Sequence, residues 1–409
     1  MISVVQAHDP RIRPLPFPYK NAIAISNDPD FMSLECFEFL IPFLTDTQDV
    51  AHTLGNSLGL RIDSGYFAYS PDPSALALTR LTDRGISPKR DAARLIDHIQ
   101  SERLSSIHTL GDHDFGSPPN RRITALSVET VLEAGGNFGI WTNHGNVRNT
   151  QCIGPGGEHH HGDDPESASY STDLWIDPHS PQFYSSSHLA TEETFLGTLR
   201  RLELYRQPRD LAFAAKESLK PTPPLIQPIS LRDGRTIWGF PRVRATGTTA
   251  PNLSNLRRQV AHLDRAFRRS TFQAAILYQH LGVASKEKGI IERASPAYFE
   301  SRPQTLHSLV YLSQLVHDRQ VWNPNLRELL TYALLIRQLE VTMVEDAGRA
   351  SLEIDVPESP WLKTGCFTVT FYDDDERIAG CTLNGKPTDF VRNELDQDAR
   401  ISVSVRLQL

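Results

Sequence analysis

The sequence has no apolar run that approaches the roughly 20 residues needed for a membrane-spanning helix. Residues 1–19 carry prolines and charges where a secretion signal would need an apolar stretch. The net charge of −7 gives the 409-residue chain no general electrostatic reason to bind nucleic acid or an anionic membrane. We therefore expect a cytoplasmic protein with no nucleic-acid partner and no membrane partner.

Cysteine is scarce as well. The four cysteines are spread widely and no two have C-x-x-C spacing: Cys36, Cys152, Cys366 and Cys381. A disulfide across a predicted hairpin between Cys366 and Cys381 is conceivable, but buried free thiols suit a cytosolic chain better. No glycine-rich phosphate loop follows a predicted strand, so the sequence indicates no nucleotide site.

Short apolar strands alternate with amphipathic helices through the first 280 residues. The strand-like runs are 22–28, 60–69, 106–110, 138–141, 174–176, 183–184, 236–240 and 274–278, and the helix-like runs include 32–44, 91–100 and 123–132. Repeated strand–helix units predict an α/β fold, with a mainly parallel sheet or a barrel and helices outside. Residues 153–171 have no apolar period, which predicts a long loop.

The last third of the chain has a different pattern. Residues 305–316 have leucines at helical spacing, and Asn323-Pro324 predicts the start of a second helix. From residue 348 short strands alternate with turns, including Asn384-Gly385. We expect a (β/α) domain over residues 1–345 and a small antiparallel β region over residues 346–409, with no prediction of its role.

Ionisable side chains collect directly after the predicted strands. They are Asp28 and Asp30, then His108, His144 and His280. The carboxyl ends of parallel strands are where α/β barrels place their active sites. A divalent metal held by a carboxylate and two further ligands, with one position open, requires such a set.

Three of these segments resemble motifs of the polysaccharide deacetylase (NodB-homology) superfamily. The run Ile-Ser-Asn-Asp-Pro-Asp at residues 25–30 takes the place of the family's Thr-Phe-Asp-Asp-Gly motif. The run His-Thr-Leu-Gly-Asp at 108–112 resembles His-Ser/Thr-x-x-His, and Ile-Leu-Tyr-Gln-His at 276–280 resembles the closing strand that ends in histidine. The similarity covers residues 20–290 and implies a divergent branch with a distorted (β/α) barrel.

The resemblance implies a divalent metal site. Asp30 resembles the metal-binding aspartate and His108 a metal-binding histidine, while Asp112 falls where the second histidine would be. His113 is the alternative to Asp112. The metal implied is Zn²⁺, with Co²⁺, Ni²⁺ and Mn²⁺ as alternatives, because oxygen-rich ligands favour harder ions.

The resemblance also implies two catalytic groups. Asp28 resembles the general base that takes a proton from the attacking water, and His280 resembles the general acid that protonates the departing amine. Pro29 stands where the family has an aspartate. Which of Asp28 and Asp30 is the base and which is the ligand therefore stays open at this point.

Five further residues are candidates for substrate contacts or for supporting the ligands. The segments 141–145 and 170–174 resemble parts of the same branch and contain Trp141, Asn143, His144 and Asp173. We expect His144 to hold a ligand or a substrate hydroxyl, and Trp141 to suit the face of a sugar. Arg242 either holds an acidic substrate or pairs with surface carboxylates. The histidines at 159–161 are expected to be solvated loop residues.

The resemblance implies a metal-dependent hydrolase that removes N-acetyl or O-acetyl groups from a sugar or polysaccharide. A hydrolase of another C–N bond on the same barrel is one alternative. A catalytically silent carbohydrate-binding protein is the other, because the first and second motifs both depart from the family's pattern. The sequence makes no prediction of the oligomeric state.

Overall fold

The computed structural model describes residues 3–5, 7–47, 51–52, 54–111, 120–144, 149–155, 159–185, 224–242, 273–282, 291–295, 298–301, 303–357, 366–373, 376–396 and 400–408. Over these residues the chain has a mixed α/β fold that contains a parallel sheet and few helices. None of the helices in these ranges is long and apolar enough to cross a membrane.

The described ranges contain six helices: α1 (Leu34–Thr45), α2 (Ala92–Gln100), α3 (Arg121–Glu133), α4 (Thr172–Trp175), α5 (Pro303–His317) and α6 (Leu326–Gln338). Side-chain caps fix three helix starts, because each cap oxygen accepts a hydrogen bond from an N–H that the helix leaves unpaired. The capping residues are Ser33 for α1, Asn120 for α3 and Asn325 for α6.

The strands, in chain order, are β1 (Ser3–Val4), β2 (Asn21–Asn27), β3 (Ala51–His52), β4 (Gly55–Asn56), β5 (Ile62–Ser70), β6 (Ala77–Thr82), β7 (Gly85–Pro88), β8 (Leu104–Ile107), β9 (Ile140–Thr142), β10 (Phe183–Ser185), β11 (Gln227–Ser230), β12 (Thr236–Gly239), β13 (Gln273–Gln279), β14 (Ile291–Ser295), β15 (Tyr298–Ser301), β16 (Glu340–Asp346), β17 (Arg349–Asp355), β18 (Cys366–Tyr372), β19 (Ile378–Leu383), β20 (Lys386–Pro387), β21 (Phe390–Arg392) and β22 (Ser402–Gln408).

The main sheet has the order β1-β13-β2-β5-β8-β9-β10-β12-β11, with β6 and β7 attached beside β5. Every neighbouring pair from β13 to β12 is parallel, and the edge strands β1 and β11 are antiparallel. The register of β13 on β2 pairs Gln279 with Asn27. Asp28 and His280 therefore leave the sheet side by side.

Both faces of the sheet are covered, as expected for buried parallel strands. One apolar cluster joins Ile23, Ile25 and Leu277 to buried residues of α1, α2, α3 and α5. A second joins Ala24 and Ile276 to α6 and to the C-terminal strands. Alternate residues of β2 and β13 thus face different cores, which follows from the two-residue period of a strand.

The C-terminal part forms two small sheets, β16-β17-β19-β20 and β18-β22-β21. Most pairs are antiparallel as predicted, but β17 and β19 are parallel, which corrects the all-antiparallel expectation. Strand β16 begins at Glu340, and the domain boundary at residue 345 stays a prediction. Asn384 and Gly385 have φ of 49° and 73°, the left-handed geometry of a tight hairpin turn between β19 and β20.

The structure corrects two local predictions and agrees with a third. Residues 174–176 are not a strand, because the short helix α4 ends at Trp175. The N-cap of α6 is Asn325 rather than Asn323, since the Asn325 side chain accepts from the N–H of Glu328. Cys36, Cys152 and Cys381 are buried free thiols.

Candidate metal centre and active site

The carboxyl ends of four strands bring the ionisable residues together. Asp28 and Asp30 follow β2, His108 follows β8, His144 follows β9 and His280 follows β13. These strands run in one parallel sheet, so their ends meet at the same edge. All five side chains are 11% exposed or less.

Asp30 is the centre of this cluster. Its Oδ1 contacts Nε2 of His144, and its Oδ2 lies 3.0 Å from Nε2 of His280 and 3.2 Å from Nε2 of His108. Burial by itself would raise the pKa of Asp30, but His108, then His144 and His280, hold that pKa well below its usual value. The carboxylate is therefore stabilised in its charged form.

His108 is oriented by a neighbouring strand. Its Nδ1 lies 2.7 Å from Oγ1 of Thr142 on β9, while its Nε2 is buried and makes no hydrogen bond within the described ranges. The rings of His108 and His144 meet edge to face with centroids 5.0 Å apart. A histidine that binds a metal through one ring nitrogen usually has its other ring nitrogen held by a hydrogen bond. His108 has this arrangement, because its Nδ1 is held by the Thr142 hydroxyl and its Nε2 faces the Asp30 carboxylate.

Asp28 is held by an arginine rather than by the histidines. Nη1 of Arg242 donates to Oδ1 of Asp28 at 2.5 Å and to Oγ of Ser26 at 3.2 Å. Asp28 Oδ2 is 3.6 Å from Nε2 of His108. Arg242 is 1% exposed, and the carboxylate with which it pairs is the buried one of Asp28 rather than a surface carboxylate.

His280 is also contacted by a tyrosine. The Tyr278 hydroxyl lies 3.2 Å from Nε2 of His280, and the two rings meet at 76°. Tyr278 and His280 are two positions apart along the chain at the end of β13, so both fall on the face of the sheet that carries Ser26 and Asp28. Tyr278 and Thr142 were not assigned to the site from the sequence. Each lies two positions before a site histidine, Tyr278 before His280 and Thr142 before His144, and this spacing indicates a shared face of the strand.

Two residues beside the cluster have left-handed backbone conformations that bulky side chains disfavour. Phe31 has φ of 56° and Thr109 has φ of 58°. The Thr109 N–H donates to the carbonyl oxygen of Thr142 at 3.1 Å, which holds the loop after β8 against β9. Strained positions of this kind concentrate at functional sites.

The structure tests which ions the cluster suits. Among the described residues, two groups have ligand-type atoms within 4.8 Å of one another: Asp30, His108 and His144 in one, and Asp28, Asp30 and His280 in the other. The first offers one carboxylate and two imidazoles, a donor set that fits Zn²⁺ and neighbouring first-row ions. In the second group, the negative charge of Asp28 is already paired with the positive charge of Arg242. The first group is therefore the better candidate for holding an ion.

No family model, no curated protein and no solved structure matches the chain. The chemistry assigned to the site rests on its own side chains, their contacts and their burial.

Two of the predicted metal ligands, Asp112 and His113, lie outside the described residues and stay predictions. Within the described ranges the third ligand-type atom beside Asp30 and His108 comes from His144, which the sequence had suggested only as a supporting residue. It reaches the site from β9 rather than from the loop that follows His108.

Trp141 and Asn143 do not face the cluster, in contrast to the expectation for Trp141. Trp141 is fully buried and stacks on Trp175 with ring centroids 4.8 Å apart, so no face is open to a sugar. Its Nε1–H donates to Oδ1 of Asn143, whose amide nitrogen donates to the carbonyl oxygen of Ile153. Asn143 thus holds the segment around Ile153 against the end of β9, and Trp141 holds the Asn143 side chain.

Asp173, His160 and His161 have their partners outside the cluster around Asp30. Asp173 pairs with Arg121, with Nη2 of the arginine 2.6 Å from Oδ2. His160 is buried rather than solvated, and burial lowers its pKa. His161 lies 3.4 Å from Asp164, in a loop contact instead of the cluster around Asp30.

Proposed function

We propose that this protein is a metal-dependent hydrolase of the carbohydrate-deacetylase type, a divergent relative of the polysaccharide deacetylase superfamily. The observation that carries the proposal is the contact set of Asp30, whose two oxygens face Nε2 atoms of three histidines while Asp28 lies alongside under Arg242. The site thus combines a ligand set with a separate carboxylate and a separate imidazole.

Asp30, His108 and His144 would hold the ion. A bound divalent ion would polarise the acyl oxygen of the substrate and lower the pKa of water. Thr142 keeps the His108 ring turned towards Asp30, because its hydroxyl lies 2.7 Å from the opposite ring nitrogen.

Asp28 and His280 supply the acid–base chemistry. Asp28, neutralised by Arg242 on Oδ1, takes a proton from the attacking water through its other oxygen. The water oxygen forms a bond to the acyl carbon, the C–N bond breaks, and His280 gives a proton to the departing amine. Acetate and a free amine are the products, or acetate and an alcohol where the substrate is an O-acetyl ester.

A barrel is part of the same proposal. Residues beside both edges of the main sheet, Val5 next to β1 and Leu225 next to β11, line one cavity of about 400 Å³ together with Ala333 of α6. This shared lining supports a distorted barrel whose edges approach each other around α6 without pairing as strands.

Acetate release from oligosaccharides of N-acetylglucosamine tests the function. Wild-type, untagged protein loaded with Zn²⁺ should release acetate, and a chelator should abolish release until the metal is restored. Asp28→Asn should lower kcat by at least about 100-fold, because a general base contributes on that scale. Asp97→Asn, on the exposed side of α2, is the matched control and should behave as wild type.

Release that survives both the chelator and Asp28→Asn would contradict the mechanism. Metal-dependent cleavage of other amides without acetate release from sugars would favour the C–N hydrolase alternative. Glycan binding that persists in chelator, without turnover in any metal, would favour a silent binding protein.

A further inference from the structure

Phe31 is the most exposed large hydrophobic residue among those described, with 71% of its surface open to solvent. It directly follows Asp30, the residue that contacts all three histidines. Its φ of 56° lies in the left-handed region. An exposed aromatic ring and a left-handed bulky residue are both unfavourable for the folded state, and here one residue combines them.

The backbone around Phe31 explains how this conformation is kept. The N–H of Met32 donates to the carbonyl oxygen of Pro29 at 3.0 Å, which closes a turn over Asp30 and Phe31. Met32 is then buried in the core beneath α1. The turn delivers Asp30 to the cluster and leaves the Phe31 ring outside.

Asp30 is the member of the cluster whose side chain is most open to solvent. The side chain of Asp30 is 11% exposed, whereas those of Asp28 and His108 are 4% and 2% exposed. His144 and His280 are each 6% exposed. A substrate that reaches the cluster from solvent therefore approaches at Asp30, and Phe31 is its immediate neighbour.

We propose that Phe31 is a binding platform for the apolar face of one sugar ring of the substrate. The neighbouring sugar of the same substrate carries the acetyl group that reaches Asp30. The identity of the ligand rests on the proposed function. The C–H face of a pyranose covers an aromatic ring and removes apolar surface of both from water. Sugar binding therefore offsets the free-energy cost of exposing the Phe31 ring to water. This explains why the position holds phenylalanine, although glycine would make the folded state more stable.

Binding and stability should respond in opposite directions to one substitution. Phe31→Gly removes both the ring and the left-handed strain, so we expect a higher midpoint of urea unfolding together with weaker glycan binding. Phe31→Ala removes the ring but keeps a Cβ at φ of 56° and should weaken binding equally. Phe31→Trp should bind at least as tightly as wild type.

The measurement is calorimetric titration of a tetrasaccharide of N-acetylglucosamine into chelator-treated protein, in which no turnover occurs. We expect Kd to rise about tenfold in Phe31→Ala and Phe31→Gly. In the metal-loaded enzyme KM should rise by the same factor with kcat unchanged.

Two control variants separate the contributions. Glu102→Gly relieves a left-handed φ of 57° at an exposed residue after α2, and should stabilise the fold without changing Kd. Leu395→Ala removes an exposed apolar side chain from the loop between β21 and β22 and should leave Kd unchanged.

Wild-type Kd in Phe31→Ala, or a less stable Phe31→Gly, would overturn the proposal, as would the absence of glycan binding by the wild type. Binding that depends on Phe31 in a protein that releases no acetate would support the platform and contradict only the hydrolase. The two proposals therefore fail separately.

Discussion

The guanidinium group of Arg242 lies over the ring of Tyr278, with 4.5 Å between Cζ and the ring centroid. The same arginine donates to Asp28, and the hydroxyl of the same tyrosine reaches Nε2 of His280. One aromatic side chain thus connects the group proposed as base with the group proposed as acid. Its ring shields the arginine–aspartate pair from water, and its hydroxyl restrains the imidazole.

Tyr278→Phe should separate these two contacts. The ring stays over Arg242 while the hydroxyl contact to His280 is lost, so we expect kcat to fall about tenfold, the equivalent of one hydrogen bond. KM and bound metal should stay close to wild type. Tyr278→Leu removes the ring as well, and a further loss of kcat is expected from steady-state acetate assays.

Tyr170→Phe is the matched control. Arg121 lies over the Tyr170 ring at 5.2 Å, and Nη1 of Arg235 donates to its hydroxyl at 3.0 Å, so this tyrosine also combines an arginine over its ring with a hydrogen bond at its hydroxyl, away from the cluster. This variant should keep wild-type kcat. Full kcat in both Tyr278 variants would show that neither contact contributes to the reaction.

His144→Ala should remove a metal ligand. Zinc affinity, measured by competition with a chromophoric chelator on untagged protein, is expected to fall by more than the 10–100-fold typical of losing a supporting residue. Thr142→Val removes the hydroxyl that orients His108 and should cost within that 10–100-fold range. His161→Ala, in the loop contact with Asp164, should leave zinc affinity unchanged. Wild-type affinity in His144→Ala would mean that the third ligand is another residue.

The strands and the residues that follow them were largely predictable from sequence. Apolar runs bounded by Asp, His or Gly place β2, β8, β9 and β13 within a few residues of their observed positions. The order of these strands in the sheet was not predictable, because it depends on contacts between residues far apart. Arg242 and Asp28 are 214 positions apart, and no local pattern joins them.

The direction of the Trp141 side chain follows from the alternation of side chains along β9. Along β9, Ile140, Thr142 and His144 alternate with Trp141 and Asn143, so one set must face away from the other. If His144 faces the cluster, Trp141 faces the opposite core, as observed in its stack on Trp175. Strand parity therefore excludes Trp141 from the site.

Gly65 on β5 provides the space in which two site segments approach each other. A Cβ at this position would lie 3.1 Å from Cδ of Pro29 and 3.5 Å from Cβ of His108. Gly65→Ala should therefore displace the Asp28–Asp30 turn by a few tenths of an ångström. We expect kcat to fall roughly 3–10-fold, since a 1 Å misplacement costs about 100-fold.

Gly380→Ala provides the comparison for this substitution. Gly380 lies in β19, and a Cβ there would meet Oγ of Ser351 at 3.0 Å, a similar crowding far from the cluster. Acetate assays and zinc affinity should be unaffected in this variant. Equal behaviour of the two alanine variants would contradict a role for Gly65 in placing the turn.

Asp63 should make stability depend on pH. It is buried at the start of α6, where its carboxylate accepts from the N–H of Leu326 and, at 2.7 Å, from the hydroxyl of Ser105. Burial raises the pKa of Asp63 from 3.8 to about 6. Because the folded state holds its proton more tightly than the unfolded chain, stability is highest below pH 4 for this group and falls as the pH rises to about 6.

Asp63→Asn cannot titrate, so its unfolding free energy relative to wild type should rise by on the order of 2–3 kcal/mol between pH 4 and pH 7. Urea unfolding across that range measures the difference, with the exposed Asp83→Asn as control. A constant offset between Asp63→Asn and wild type would show that Asp63 does not titrate in this window.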